Sequence, residues 1–176
     1  RPHELEWFLN EVDQFFPDLH DNLLSHDATI NKKNLVSQFS KLVFGDNQEV
    51  AKKAAVAWNQ FEGSILKLMP PENSESSESI NFEFELARAK VQLHYIQNQC
   101  FVDGDEILKK VNILKDKPIA IIQGRYDMVC PPKTAYELMK HLPDCDFIMV
   151  ANAGHSASEP GTLSALIGAT EKFKSL

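Results

Sequence analysis

Two short apolar runs near the C-terminal end constrain this fold more than any other feature. They are Pro118-Ile119-Ala120-Ile121-Ile122 and Phe147-Ile148-Met149-Val150, and each reads as a buried strand. Between them residues 134–142 carry a short helical pattern that ends at Pro143, and residues 163–173 carry an amphipathic one through Leu163, Leu166, Ile167, Thr170 and Phe173. Strands alternating with helices imply a parallel sheet with right-handed crossovers, an α/β arrangement. Each run leads into a glycine-bearing loop, Gly124-Arg125-Tyr126-Asp127 and Gly154-His155-Ser156. A parallel sheet displays its functional loops at these strand ends.

The preceding residues read differently. Leu5, Phe8, Leu9, Val12 and Phe16 recur at helical steps, and Pro17 ends that pattern. Leu35, Phe39, Leu42 and Val43 mark a second helix closed by Gly45. Val50, Ala54, Ala57, Trp58, Phe61, Ile65 and Leu68 draw a long stripe stopped by Pro70-Pro71. An acidic, serine-rich run from Glu72 to Ser79 reads as a solvated loop. Phe84, Ala87, Val91, Tyr95 and Asn98 give a fourth helix, and a short one surrounds Ile107 to Val111. The expected division is an all-helical domain over 1–104 and the end of an α/β sheet over 105–176.

Composition excludes several functions. A net charge of −7 argues against a nucleic-acid or anionic-membrane surface. No apolar stretch approaches the ~20 residues needed to span a bilayer. The start, Arg1-Pro2-His3-Glu4, shows no apolar region of a signal peptide. Three cysteines, Cys100, Cys130 and Cys145, lack Cys-x-x-Cys spacing, which fits reduced thiols in the cytoplasm better than a disulfide framework or a zinc site.

Asp127 and His155 are the candidate catalytic pair. A carboxylate can fix a histidine tautomer and stabilise the imidazolium that forms. Taken alone, Asp127 reads better as a turn residue capping the next helix, and His155 as a loop histidine bonded to backbone. Their order, 28 residues apart across one strand–helix–strand unit, favours catalysis. The glycines before them allow a sharp turn and close approach. No serine in the chain has glycine at both −2 and +2, so the Gly-x-Ser-x-Gly nucleophile turn is absent from these 176 residues.

The runs Gly124-Arg125-Tyr126-Asp127-Met128-Val129-Cys130-Pro131 and Ala153-Gly154-His155-Ser156-Ala157-Ser158-Glu159-Pro160-Gly161 resemble proline iminopeptidase, a branch of the α/β-hydrolases. Trp7-Phe8, Phe16-Pro17-Asp18, Trp58-Asn59-Gln60-Phe61-Glu62-Gly63 and His94-Tyr95 resemble that family's helical cap. The resemblance implies the C-terminal part of an α/β-hydrolase preceded by its cap, lacking the half that holds the oxyanion loop and nucleophile. It implies that Asp127 orients His155, and that His155 activates a serine outside this chain. It further implies that acidic cap residues bind a substrate's free N-terminal amine, with Glu62 at the first such position. Flanking Trp58 and Phe61 would suit an ammonium beside an apolar pyrrolidine ring. At the second position Gln92 replaces a glutamate, within Ala89-Lys90-Val91-Gln92-Leu93-His94-Tyr95, and can accept a hydrogen bond without adding charge.

Arg125 reads equally as a partner for a loop carboxylate or as a shaper of the site. Cys130, three residues past Asp127, reads as a thiol near the site or as a small buried hydrophobe. The expected function is removal of N-terminal proline from short peptides, without metal or organic cofactor, nucleic acid or membrane. The severed sheet implies self-association or pairing with the missing half. The alternatives are an esterase, epoxide hydrolase or dehalogenase of the same fold, or a non-catalytic remnant acting as an interaction module.

Overall fold

The computed structural model describes residues 1–69 and 80–174. The Pro70-Pro71 pair and the run from Glu72 to Ser79 lie outside the described residues. The chain divides into two compact units, Arg1–Ser64 with Pro71–Val102, and Ile65–Pro70 with Asp103–Leu176. Among the described residues no helix is long and apolar enough to cross a membrane.

The first unit's described elements are all helical. The continuous helix expected over the first sixteen residues is split. Helix α1 (Pro2–Glu6) widens into a π turn (Trp7–Glu11), where the N–H of Val12 reaches back to the Trp7 carbonyl, and a 3-10 turn (Val12–Gln14) follows. Pro17, which ends that pattern, also starts helix α2 (Pro17–Leu24), because its missing N–H costs nothing at a first helical position. Helices α3 (Leu35–Val43), α4 (Gln48–Ile65) and α5 (Phe82–Gln97) complete the unit. Trp58 packs against Phe8 and Phe39, and Phe61 against Phe8 and the buried His20.

Helix α5 forms where the apolar spacing placed a fourth helix, but that stripe is not its buried side. Phe84, Val91 and Tyr95 are exposed at 61%, 62% and 51%, while Leu86, Ala89 and Leu93 are buried. Both stripes satisfy helical spacing, so periodicity alone cannot choose between them. The polar residues decide the face. Asn59, Glu62 and Trp58 on α4 bond to Glu85, Arg88 and Gln92, which turns that side of α5 inward. Beyond α5, Gln99, Cys100 and Phe101 hold φ of 51°, 55° and 58°, a left-handed turn that ends the helix.

In the second unit, helix α6 (Glu106–Lys110) and a 3-10 turn (Val111–Leu114) lead to strand β1 (Ala120–Gly124). Helix α7 (Lys133–Lys140), strand β2 (Asp146–Val150) and helix α8 (Pro160–Phe173) follow. The strands pair in parallel from Ala120 opposite Asp146 to Gly124 opposite Val150. Helix α7 packs on β1, and α8 on both strands. The expectation of buried strands is corrected here. Ile121, Ile122, Phe147 and Met149 are half-buried, and Ile148 is 38% exposed. Among the described residues the sheet has two strands and so two open edges, and two helices do not cover all its apolar side chains.

The segment 65–69 belongs with this unit because its backbone bonds to the loop after β2. The N–H groups of His155 and Ser156 both donate to the Leu66 carbonyl at 2.9 Å.

Candidate active site

The two loops that follow β1 and β2 are laced by backbone. The Arg125 N–H donates to the Val150 carbonyl at 2.9 Å, and the Tyr126 N–H to that of Ala153 at 3.0 Å. Neither Gly124 nor Gly154 has a positive φ, so a sharp turn does not explain them. Close approach does. A Cβ on Gly124 would lie 1.9 Å from the Gly154 carbonyl oxygen, and one on Gly154 would meet the Leu68 nitrogen at 2.9 Å.

This lacing brings Asp127 to His155. The Asp127 carboxylate is 7% exposed and its two oxygens divide the work. Oδ1 accepts the backbone N–H groups of Val129 at 3.0 Å and Cys130 at 2.7 Å, an Asx-type turn. Oδ2 lies 2.9 Å from His155 Nδ1 and accepts the Gln123 side-chain amide at 3.1 Å. Asp127 is thus both turn residue and histidine partner. An ionised carboxylate can only accept, so Nδ1 carries the proton and, in the neutral ring, Nε2 bears the lone pair. The imidazole is 36% exposed, open enough to exchange protons with a bound molecule.

Gln123 is a participant that the sequence pattern did not mark. It stands on β1 four residues before Asp127, and its amide also reaches the Cys130 carbonyl at 3.3 Å. Glu159 is a second participant, quoted above within the run around His155 but given no role there. It occupies the N-cap of α8, but its side chain turns back to the histidine loop instead of capping the helix. Arg125 is exposed, and it joins the loop through its backbone N–H. Cys130 is exposed rather than a buried hydrophobe, and it touches Asp127 through its backbone. Cys145, by contrast, has its thiol pushed up by burial and by the neighbouring Asp146.

The other candidate residues gather on α4 and α5 in the first unit. Glu62 Oε2 accepts from Arg88 Nη2 at 2.6 Å and Oε1 from the Gln92 amide at 2.7 Å. The Gln92 oxygen in turn accepts the Trp58 indole N–H at 2.5 Å. Glu62 and Gln92 therefore face each other, with Glu62 13% exposed. Trp58 and Phe61, expected to flank a ligand, are 2% and 5% exposed and sit in the helical core. Phe61 borders a cavity of about 460 Å³ together with Leu23, His26, Ala57 and Gln60. Among the described residues no cluster of three or more acidic, histidine or cysteine side chains has the arrangement of a metal site.

A family model described as TAP-like protein matches residues 95–172. The chain is 34% identical over 175 residues to a probable proline iminopeptidase of Leptolyngbya boryana, covering 98% of this chain and 54% of that protein. It is 34% identical to a proline iminopeptidase of Xylella fastidiosa, covering 98% of this chain and 56% of that protein. Against a proline iminopeptidase of Arabidopsis thaliana the identity is 33%, over 100% of this chain and 47% of that protein. The chain thus spans about half the length of the curated relatives it matches.

Proposed function

Because the chain belongs to the α/β-hydrolase family, we propose that it is part of a proline iminopeptidase-like serine hydrolase that releases N-terminal proline from short peptides. The observation that carries this reading is the 2.9 Å approach of His155 Nδ1 to Asp127 Oδ2. In this scheme a serine hydroxyl from outside these 176 residues attacks the acyl carbon. His155 takes the hydroxyl proton at Nε2 and hands it to the leaving amine, while Asp127 stabilises the imidazolium. Backbone N–H groups hold the oxyanion, and water activated by His155 then releases the acid. The scheme needs no metal or organic cofactor, and its cysteine usage suits the cytoplasm.

The helical unit serves as the cap. Glu62 supplies the negative charge that attracts the substrate's ammonium, and Gln92 holds that carboxylate in place. Trp58 contributes by fixing Gln92. The ion pair of Glu62 with Arg88 favours a second reading, an esterase of the same fold, because a carboxylate already neutralised attracts a cationic amine weakly.

Proline p-nitroanilide and a neutral p-nitrophenyl ester separate the two readings. The polypeptide is assayed with and without a nucleophile-bearing segment. Turnover of the anilide that needs the added segment supports the peptidase, and turnover of the ester alone supports the esterase. Asp127-dependent turnover by the 176-residue chain alone contradicts an external nucleophile.

A further inference from the structure

We propose that Glu159 is a positioning residue for His155: its carboxylate clamps Gly154 to the segment 66–68 and so sets where the imidazole stands. The proposal rests on the reading of His155 as the base.

Glu159 is 9% exposed, and the described partners of its carboxylate are two backbone N–H groups. Oε2 accepts from Gly154 at 2.7 Å and Oε1 from Leu68 at 2.9 Å. The Leu66 carbonyl accepts the N–H groups of both His155 and Ser156. Residues 66–68 and 154–156 are therefore stitched by four hydrogen bonds, two of them on the Glu159 carboxylate. Burying an ionised group costs desolvation unless strong bonds replace its water, and bonds to a charged acceptor are the strong kind.

The position of this clamp gives it a specific effect. The Gly154 nitrogen is held by Glu159, while the carbonyl of the same residue packs against Gly124. Gly154, the residue that leads into His155, is thereby held at both its nitrogen and its carbonyl. Asp127 is anchored independently by Val129, Cys130 and Gln123. Loss of the clamp leaves the acid in place and removes two of the four bonds that hold the base loop, so that His155 can shift away from Asp127, and an error of ~1 Å in such a pair is catalytically costly.

The test uses Glu159→Gln, which keeps the shape and leaves one acceptor oxygen for two N–H groups. The readouts are the His155 Nδ1 proton resonance and the amide exchange of Gly154 and Leu68, measured on the 176-residue chain. With a cooperative melt retained, Gly154 or Leu68 should exchange about tenfold faster or more, and the Nδ1 resonance should broaden or vanish. An unchanged resonance with unchanged exchange overturns the proposal. If Glu159→Gln does not fold, the unmutated chain decides. Gly154 and Leu68 amides exchanging as fast as exposed loop amides contradict the clamp, and slow exchange supports it. None of these readouts requires peptidase activity. A wild-type Nδ1 resonance that persists in Asp127→Asn would instead overturn the assignment of His155, whatever Glu159 does.

Discussion

Gly124 and Gly154 approach so closely that a Cβ on the first would lie 1.9 Å from the carbonyl oxygen of the second. The acid loop and the base loop meet at this contact, and it is backbone against backbone. Gly124→Ala therefore cannot be absorbed by a side-chain rotation. We expect a loss of about 1–3 kcal/mol in urea unfolding, together with loss of the His155 Nδ1 resonance. A substitution that leaves both unchanged would mean that the loops do not meet as described.

The Glu62–Gln92–Trp58 chain predicts a divided response. Gln92→Leu leaves the buried indole N–H without its acceptor and removes a donor from Glu62, a cost of about 1–3 kcal/mol. Tryptophan fluorescence and a thermal melt should both report it. Gln92→Glu should raise selectivity for a substrate with a charged N-terminus over a neutral ester. Glu62→Ala should raise KM for the charged substrate far more than for the ester. Equal effects on both substrates would show that Glu62 does not recognise an amine.

Much of this is legible in the sequence, and the features that are not share a cause. The strand–helix–strand unit, and with it the order of Asp127 and His155, follows from local apolar runs punctuated by glycine and proline. The buried face of α5 was not legible. Phe84–Val91–Tyr95 and Leu86–Ala89–Leu93 have the same period, and only contacts with α4, distant in sequence, select one of them. The roles of Gln123 and Glu159 are not legible for a related reason. Their roles depend on where Asp127, Gly154 and Leu68 lie in space, and no local pattern marks a side chain that reaches across a loop.

The thiols should react in a defined order. Burial and the adjacent Asp146 raise the Cys145 pKa, so less thiolate is present there at any pH below that raised value. Cys100 and Cys130 are exposed. Alkylation at pH 8 followed by peptide mass mapping should label those two before Cys145. Labelling of Cys145 first would contradict its described environment.

The half-buried strands predict association. Ile148 on β2, and Leu163 and Ile167 on α8, are exposed apolar side chains in a unit whose described sheet has only two strands. Light scattering on the purified chain should show self-association, or a complex once a nucleophile-bearing half is supplied. A monomer that melts cooperatively would count against this.

The central claim is that Asp127 orients His155 for base catalysis, and Asp127→Asn in the polypeptide that carries the nucleophile tests it most directly. Asparagine keeps the shape of the side chain but can present an N–H where the carboxylate accepted one, which disfavours the working tautomer. We predict that kcat for proline p-nitroanilide falls by about 10⁴ with KM little changed, as expected when a triad acid is neutralised. A kcat within a few-fold of the unmutated protein would contradict the account.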